Sequence, residues 1–203
     1  MAADKWLTHD DGRVFLHQPF DPAKHIPKGA AWSQDMLSLP AEDARKTEFP
    51  NDLVAYRARD FVGMAEKWLP LFEQVAGERN LPAFWLLAFA YAESRFNPAA
   101  EAVDGGWGLM QITAPGLKAG FTKEQVFDPL TNVRIAARVI AMHAKQTQDL
   151  PSIASCYNAG CAKAGVPYAS DANPWGYACA AKYISVVVAA NNAAVRWLKD
   201  GVC

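Results

Sequence analysis

The sequence predicts a mainly α fold, and three observations carry that reading. From Leu53 onward apolar residues recur at spacings of three and four, the period of a helix that buries one face. The stretch from Pro82 to Ser94 is apolar on nearly every side, as a helix in the middle of a domain must be. Alternation of apolar and polar residues, the mark of a half-buried strand, is confined to a short run around Gly106–Thr113.

Bulk properties set the frame. The 203 residues are 51% hydrophobic, enough for one domain with a sizeable core plus an extension. A formal net charge of −1 offers no overall attraction to nucleic acid. Residues 151–199 are mildly basic, with Lys163, Lys182, Arg196 and Lys199 against Asp171; a solvated helix face is the first reading and an anionic polymer the second. The opening residues, MAADKWLTHDDGR, lack an apolar core followed by a small-residue cleavage site, so no secretory signal is expected. The longest apolar stretch, Leu81 to Ala92, contains Pro82 and is too short to span a bilayer, so no membrane insertion is expected. Cys156, Cys161, Cys179 and Cys203 all fall in the last quarter of the chain. With no histidine beyond His143 and no CxxC pair, zinc is a poor fit, and no metal or cofactor is expected. Buried thiols are one option for these cysteines; one disulfide, with Cys161–Cys179 as first choice, is the other.

The elements follow in order. Residues 1–51 contain Pro19, Pro22, Pro27, Pro40 and Pro50 and show no long period, which predicts an extended arm with at most a short helix near Ala41–Lys46. On this reading removal of the first 50 residues leaves a folded domain. Residues 52–203 form the second unit. Leu53, Tyr56, Met64, Trp68, Leu71, Phe72 and Val75 mark helix, divided in two by Pro70. Asn80-Leu81-Pro82 opens the next helix, which runs to about Ser94 and stops at Asn97-Pro98. A glycine-rich segment, Asp104-Gly105-Gly106-Trp107-Gly108, precedes Leu109-Met110-Gln111-Ile112. A helix from about Leu130 to Gln148 turns Leu130, Val133, Ala137, Ile140 and Ala141 inward and Arg134, Arg138 and Lys145 outward. A shorter helix fits Ser152–Asn158, ending at Gly160, and the last runs from about Trp175 to Lys199.

Glu93 is the candidate for chemistry. It stands at the C-terminal end of the most apolar helix, where burial and the negative end of the helix dipole both favour the protonated acid. A general acid has to hold its proton near neutral pH. By position alone a solvent-facing glutamate competes with this reading. The surrounding pattern shifts the balance. Glu93-Ser94-Arg95-Phe96-Asn97-Pro98 is followed by Gly108-Leu109-Met110-Gln111, then Asn132, then Tyr157-Asn158-Ala159-Gly160, and finally Tyr183 ahead of the apolar run Val186–Val188. In this order the motifs resemble the catalytic domain of the soluble lytic transglycosylase family, over about residues 63–198.

That resemblance implies a lysozyme-like fold, peptidoglycan glycan strands as substrate, and no cofactor. It implies Glu93 as the single catalytic acid/base and Ser94, Met110, Gln111, Asn132, Tyr157, Asn158 and Tyr183 as substrate-binding residues. The chain departs from the family pattern at three positions. Ala102 stands where serine is common, Cys156 replaces alanine before the Tyr-Asn pair, and Cys179 stands where a glutamate often precedes the late tyrosine. The implied reaction cleaves the bond between N-acetylmuramic acid and N-acetylglucosamine and closes a 1,6-anhydro ring. Two other functions compete. A hydrolytic muramidase of the goose-type lysozyme kind needs a second carboxylate, for which Asp104 is the nearby candidate while Thr113 offers none. The other is an inactive structural virion or cell-wall-binding protein. A wall substrate and no expected export signal together suggest a phage enzyme, virion-associated or released as an endolysin, with the arm docking onto other virion proteins.

Overall fold

The computed structural model describes residues 6–8, 10–16, 61–146, 150–159 and 178–201. Within them the chain is mainly helical, as expected. A short hairpin comes first, β1 (Trp6–Thr8) against β2 (Val14–Leu16), antiparallel with Leu7 opposite Phe15. Eight helices follow: α1 (Phe61–Ala65), α2 (Leu69–Arg79), α3 (Ala83–Ser94), α4 (Pro115–Lys118), α5 (Lys123–Phe127), α6 (Pro129–Ala144), α7 (Leu150–Ala159) and α8 (Ala178–Val195). A 3-10 turn, Glu66–Trp68, joins α1 to α2, and a π-helical turn, Arg196–Asp200, follows α8. The expected helix near Ala41–Lys46, the positions Leu53 and Tyr56, Gly160, and the proposed Cys161–Cys179 pairing lie outside the described residues or side chains.

Helix α3 is the axis of the fold. Every residue from Trp85 to Tyr91 is buried, and α8 packs along it more extensively than any other pair of elements, with α1 and α2 on other sides. Fully burying Leu86, Leu87 and Phe89 stabilises by roughly 1.5–3 kcal/mol each. Pro70 sits in the first turn of α2, so the break predicted there is the 3-10 turn before it. Helix α6 buries Val133, Ala137 and Ile140 and exposes Arg138, and the side chain of Asp128 caps it by accepting from Thr131 N at 2.9 Å. Arg134 reaches across to Glu78 on α2 through two nitrogens. This helix stops at Ala144, short of the expected Gln148. No strand forms at 106–113; only isolated bridges pair Trp107 with Glu101 and Ile112. The short helices α4 and α5 have no counterpart in the expected series, because each is too brief to show a period.

The turn after α3 is unusual. Arg95 and Phe96 are both left-handed, with φ of 53° and 58°, which costs roughly 1–2 kcal/mol for each residue with a Cβ. Tertiary packing offsets that cost. Phe96 is only 3% exposed. Its ring lies 5.6 Å from Phe61 and 6.1 Å from both Phe72 and Tyr91. Each such pair adds about 0.5–1.5 kcal/mol beyond burial. The Arg95 guanidinium stacks 4.2 Å over Tyr91. The helix thus ends at Ser94, as expected, ahead of Asn97-Pro98, and this aromatic cluster holds the end of α3 in place.

The hairpin is seated on α8. Val14 N donates to Asn192 Oδ1 and Val14 O accepts from Asn192 Nδ2, each at 2.9 Å, so one side-chain amide pairs with the strand as a neighbouring strand does. Asn191 Nδ2 donates to Gly12 O at 3.0 Å. Gly12 has φ +93°, and a Cβ there stands 2.7 Å from the Phe84 ring, so no other residue fits between hairpin and α3 without displacement.

Candidate active site

Glu93 occupies the last turn of α3, with α8 beside it. Tyr183 Oη, from α8, donates to Glu93 Oε1 at 2.5 Å. Burial pushes the Glu93 carboxyl up to about 7; the Tyr183 hydrogen bond opposes the rise and the charge of Asp104 adds to it. Desolvation wins because it penalises the charged form by more than one neutral donor returns. Burial and the proximity of Glu93 also push Tyr157 and Tyr183 well above the ordinary phenol range, so both remain neutral donors. The Phe89 ring fixes the two phenols, 5.0 Å from Tyr157 and 6.4 Å from Tyr183. One helix thus supplies both the acid and the wedge that orients its neighbours.

The glycine-rich segment is clamped against the same end of α3. Ser94 Oγ donates to Leu109 O at 2.8 Å. Asn132 Oδ1 accepts from Met110 N, and its Nδ2 donates to Trp107 O and Val126 O, all at 2.8 Å. Tyr157 Oη donates to Met110 O at 2.8 Å. Gln111 Nε2 donates to Ala100 O and Gly108 O. Close approach dictates the glycines. A Cβ on Gly108, at φ +75°, stands 2.5 Å from the Asn132 amide, and one on Gly106 stands 2.5 Å from Gln111 Oε1. Lys118 Nζ lies 3.6 Å over the Trp107 ring and donates to Gly105 O, closing the outer edge of the loop.

A cleft of about 710 Å³ opens in front of Glu93. Gln111, Tyr157 and Asn158 line it with Glu93, and Tyr183 joins through its hydrogen bond to the acid. Three residues expected to contact sugar are engaged elsewhere in this structure. Met110 and Asn132 are each 0% exposed. Met110 fills the core, and Asn132 spends its amide on three backbone groups. Ser94 also turns its hydroxyl to the loop, and it is absent from the cleft wall. The polar groups of Ser94 and Asn132, which the resemblance assigns to substrate, bond here to the backbone of the loop and its surroundings.

The wall contains residues that the motifs do not name. Val139, Met142 and His143 enter it from α6, and Ala102 and Asp104 from the loop. Burial pushes the His143 imidazole down, which keeps it neutral. Val139 and Met142 lie three residues apart on α6, beside its inward stripe. That spacing was the available signal, and an apolar pair at the edge of a core face does not by itself announce a cleft. Asp104 Oδ1 accepts from Gly106 N at 3.2 Å. Among the described residues no group of three or more His, Cys, Asp or Glu could hold a metal ion, and no helix is long and apolar enough to cross a membrane.

Comparison with known proteins adds three findings. The family model for the Transglycosylase SLT domain matches residues 70–173. The membrane-bound lytic murein transglycosylase F of Vibrio vulnificus strain YJ016 is 39% identical over 70 residues, which cover 34% of this chain and 12% of that protein. The transglycosylase F of Aliivibrio fischeri is 31% identical over 83 residues, 41% of this chain and 16% of that one. The chain therefore corresponds to a small part of these relatives. Among solved structures, the 70 kDa soluble lytic transglycosylase of Escherichia coli aligns at a TM-score of 0.56 and 23% identity, over 64% of this chain and 24% of that one. An inactive variant of the lytic transglycosylase Slt from Pseudomonas aeruginosa aligns at 0.55 and 19% identity, with the same coverage. At these identities the structural likeness speaks for the fold.

Proposed function

The chain belongs to the Transglycosylase SLT domain family, and from that premise we propose that it is a peptidoglycan lytic transglycosylase with Glu93 as its single acid/base. One observation carries the reading: a carboxyl pushed up to about 7 by burial, at the head of a cleft. Near neutral pH such a group is divided between its acid and base forms, and the reaction uses both in turn. Glu93 protonates the glycosidic oxygen between N-acetylmuramic acid and N-acetylglucosamine. Positive charge develops at C1 of the muramic residue as the bond breaks. The carboxylate, held by the Tyr183 hydroxyl, then removes the proton from the C6 hydroxyl. That oxygen closes on C1 to give a 1,6-anhydro end, and Glu93 is protonated again. No water is consumed. Gln111 and Asn158 offer amides to the polar edges of the sugars, and Val139 and Met142 an apolar wall.

Glu93→Gln keeps the shape of the side chain and removes the proton, so activity falls by at least about a hundredfold with the fold intact. Near-normal lysis by this variant refutes the assignment. A second reading, hydrolytic muramidase, is favoured by one observation: Asp104 lines the same cleft, and its charge reaches Glu93. Mass spectrometry of digested sacculi separates the two. Anhydro ends support the transglycosylase; reducing ends, with loss of activity in Asp104→Asn, support the hydrolase. For delivery to the wall, we propose a phage-encoded enzyme, either an endolysin or a virion-associated protein held by the proline-containing N-terminal residues. Recovery of the chain from purified phage particles supports the virion route, and its absence from them during productive infection refutes it.

A further inference from the structure

The part of the cleft wall that carries Asp104 is a turn with no core of its own. Ala102 N donates to Gly106 O and Gly105 N to Ala102 O, each at 2.9 Å, and Asp104 Oδ1 accepts from Gly106 N. These bonds give the turn its shape but not its place. Val103, at the apex, is fully exposed, so no burial anchors the tip. Ala102 and Asp104, on either side of that apex, both line the cleft. Two lysines reach the turn and its flank from outside. Lys123 pairs with Glu101 at 2.7 Å, but both side chains are about half exposed, and a pair of that kind holds little. Lys118, from α4, is half-buried. Its Nζ donates to Gly105 O and lies 3.6 Å over the Trp107 ring, which stacks at 6.0 Å on Phe127 from α5. Its chain neighbour Leu117 lines the cleft as well. Lys118 therefore joins two parts of the wall, and the motifs do not name it.

We propose that Lys118 is a positioning residue for the reaction at Glu93: it latches the 102–105 turn to α4 and so fixes Ala102 and Asp104 in the cleft wall. The inference rests on the reading of Glu93 as acid/base and adds to that site a residue outside its motifs. The bond to Gly105 O is directional, and the Trp107 ring attracts the ammonium to its face. Asp104 matters to Glu93 through its charge, which raises the pKa of the acid, and a charge acts by its distance. The other groups facing Glu93 are Tyr183 from α8 and Tyr157 from α7, with His143 from α6 in the same wall. Around Lys118, burial pushes the ammonium down, the charges of Asp104 and Glu101 oppose that, and Lys123 adds to it. Without the latch the tip moves toward water, Asp104 recedes and the Glu93 pKa falls. A plain loss of charge has the opposite sign. With the turn unmoved, removing the Lys118 cation leaves Asp104 less screened, and the Glu93 pKa holds or rises.

The test needs no substrate. The Glu93 carboxyl is titrated by NMR in the full chain carrying isotope-labelled glutamate, its resonance identified by its absence from Glu93→Gln. Lys118→Met removes the donor and the cation and keeps the apolar stem. Helix α4 buries no residue, and thermal unfolding verifies the fold; Lys118→Gln, too short to reach Gly105 O, is a second variant read the same way. We expect the midpoint of about 7 to fall in both, at least half as far as it falls in Asp104→Asn. Combining Lys118→Met with Asp104→Asn gives no further fall, because both act through one carboxylate. Lys118→Arg keeps a cation for the ring and a donor for the carbonyl, and retains the parent midpoint. In digests of soluble strands, KM rises more than kcat falls, and the alkaline limb of kcat/KM moves to lower pH. An unmoved or raised midpoint in Lys118→Met overturns the proposal, as does a fall that simply adds to that of Asp104→Asn. Parent enzyme that digests no peptidoglycan refutes the transglycosylase and leaves the latch standing, since the titration is read without substrate.

Discussion

Asn132→Ala removes one buried amide on which three backbone groups depend. Met110 N loses its acceptor and has nowhere to turn, because the site is closed to water. Val126 O loses a donor, while Trp107 O keeps the bond from Ile112 N at 3.0 Å. A stranded buried polar group costs roughly 1–3 kcal/mol. Counting Met110 in full, Val126 in part and Trp107 least, the substitution destabilises by about 3–4 kcal/mol. For a chain of this size that lowers Tm by about 10 °C. Denaturant and thermal unfolding followed by tryptophan fluorescence measure both. Asn132→Asp is a sharper version, since it keeps the acceptor for Met110 N but turns an oxygen toward two carbonyls; it should be at least as damaging. Activity falls in parallel, because the loop that Asn132 ties down carries Gln111 into the cleft. A loss of stability below about 1 kcal/mol together with a strong fall in substrate affinity refutes this reasoning. That pair of results is the signature of a sugar contact, the role that the motif pattern implies.

Other predictions concern the acid and the hairpin. Burial raises the Glu93 pKa from 4.5 to about 7, so its contribution to stability is full below about 4.5 and is lost as pH rises through about 7, amounting to about 3 kcal/mol. Glu93→Gln should therefore exceed the parent in stability above pH 7 relative to their difference at acid pH; a pH-independent difference in unfolding free energy refutes this. The same group, acting as an acid, makes kcat/KM decline above about pH 7. Tyr183→Phe removes the hydrogen bond that lowers the Glu93 pKa, so the alkaline limb moves to higher pH, and an unmoved limb counts against the contact. Deleting residues 1–16 strips Val14 from its buried seat and frees the amides of Asn191 and Asn192, with an expected loss of about 2–4 kcal/mol. An unchanged Tm refutes this and agrees with the expectation that the first 50 residues are dispensable for folding.

The mainly helical class, the central place of α3 and the position of Glu93 at its end were legible in the residues themselves. They depend on local periodicity and on the greasiness of one segment, and both are properties of neighbours in the chain. The ordered motifs pointed to the family for the same reason: a glutamate, a glycine-rich loop and a Tyr-Asn pair recur at readable spacings. What each motif residue does was decided by tertiary structure. Asn132 and Gln111 are both amides suited to a sugar, yet Asn132 is sealed inside the loop while Gln111 reaches the cleft, and only the packing of α6 against the loop separates them. Val139 and Met142 enter the wall because α6 passes behind it, and no local pattern marks them as such. The hairpin was invisible because three-residue strands carry no measurable period, and its partners, Asn191 and Asn192, lie about 180 residues away in sequence. The elevated pKa of Glu93 joins the two levels. The helix end that disfavours its charge is written in the sequence, but the burial that dominates, the Tyr183 hydroxyl that opposes it and the Asp104 charge that adds to it meet only when distant segments pack together.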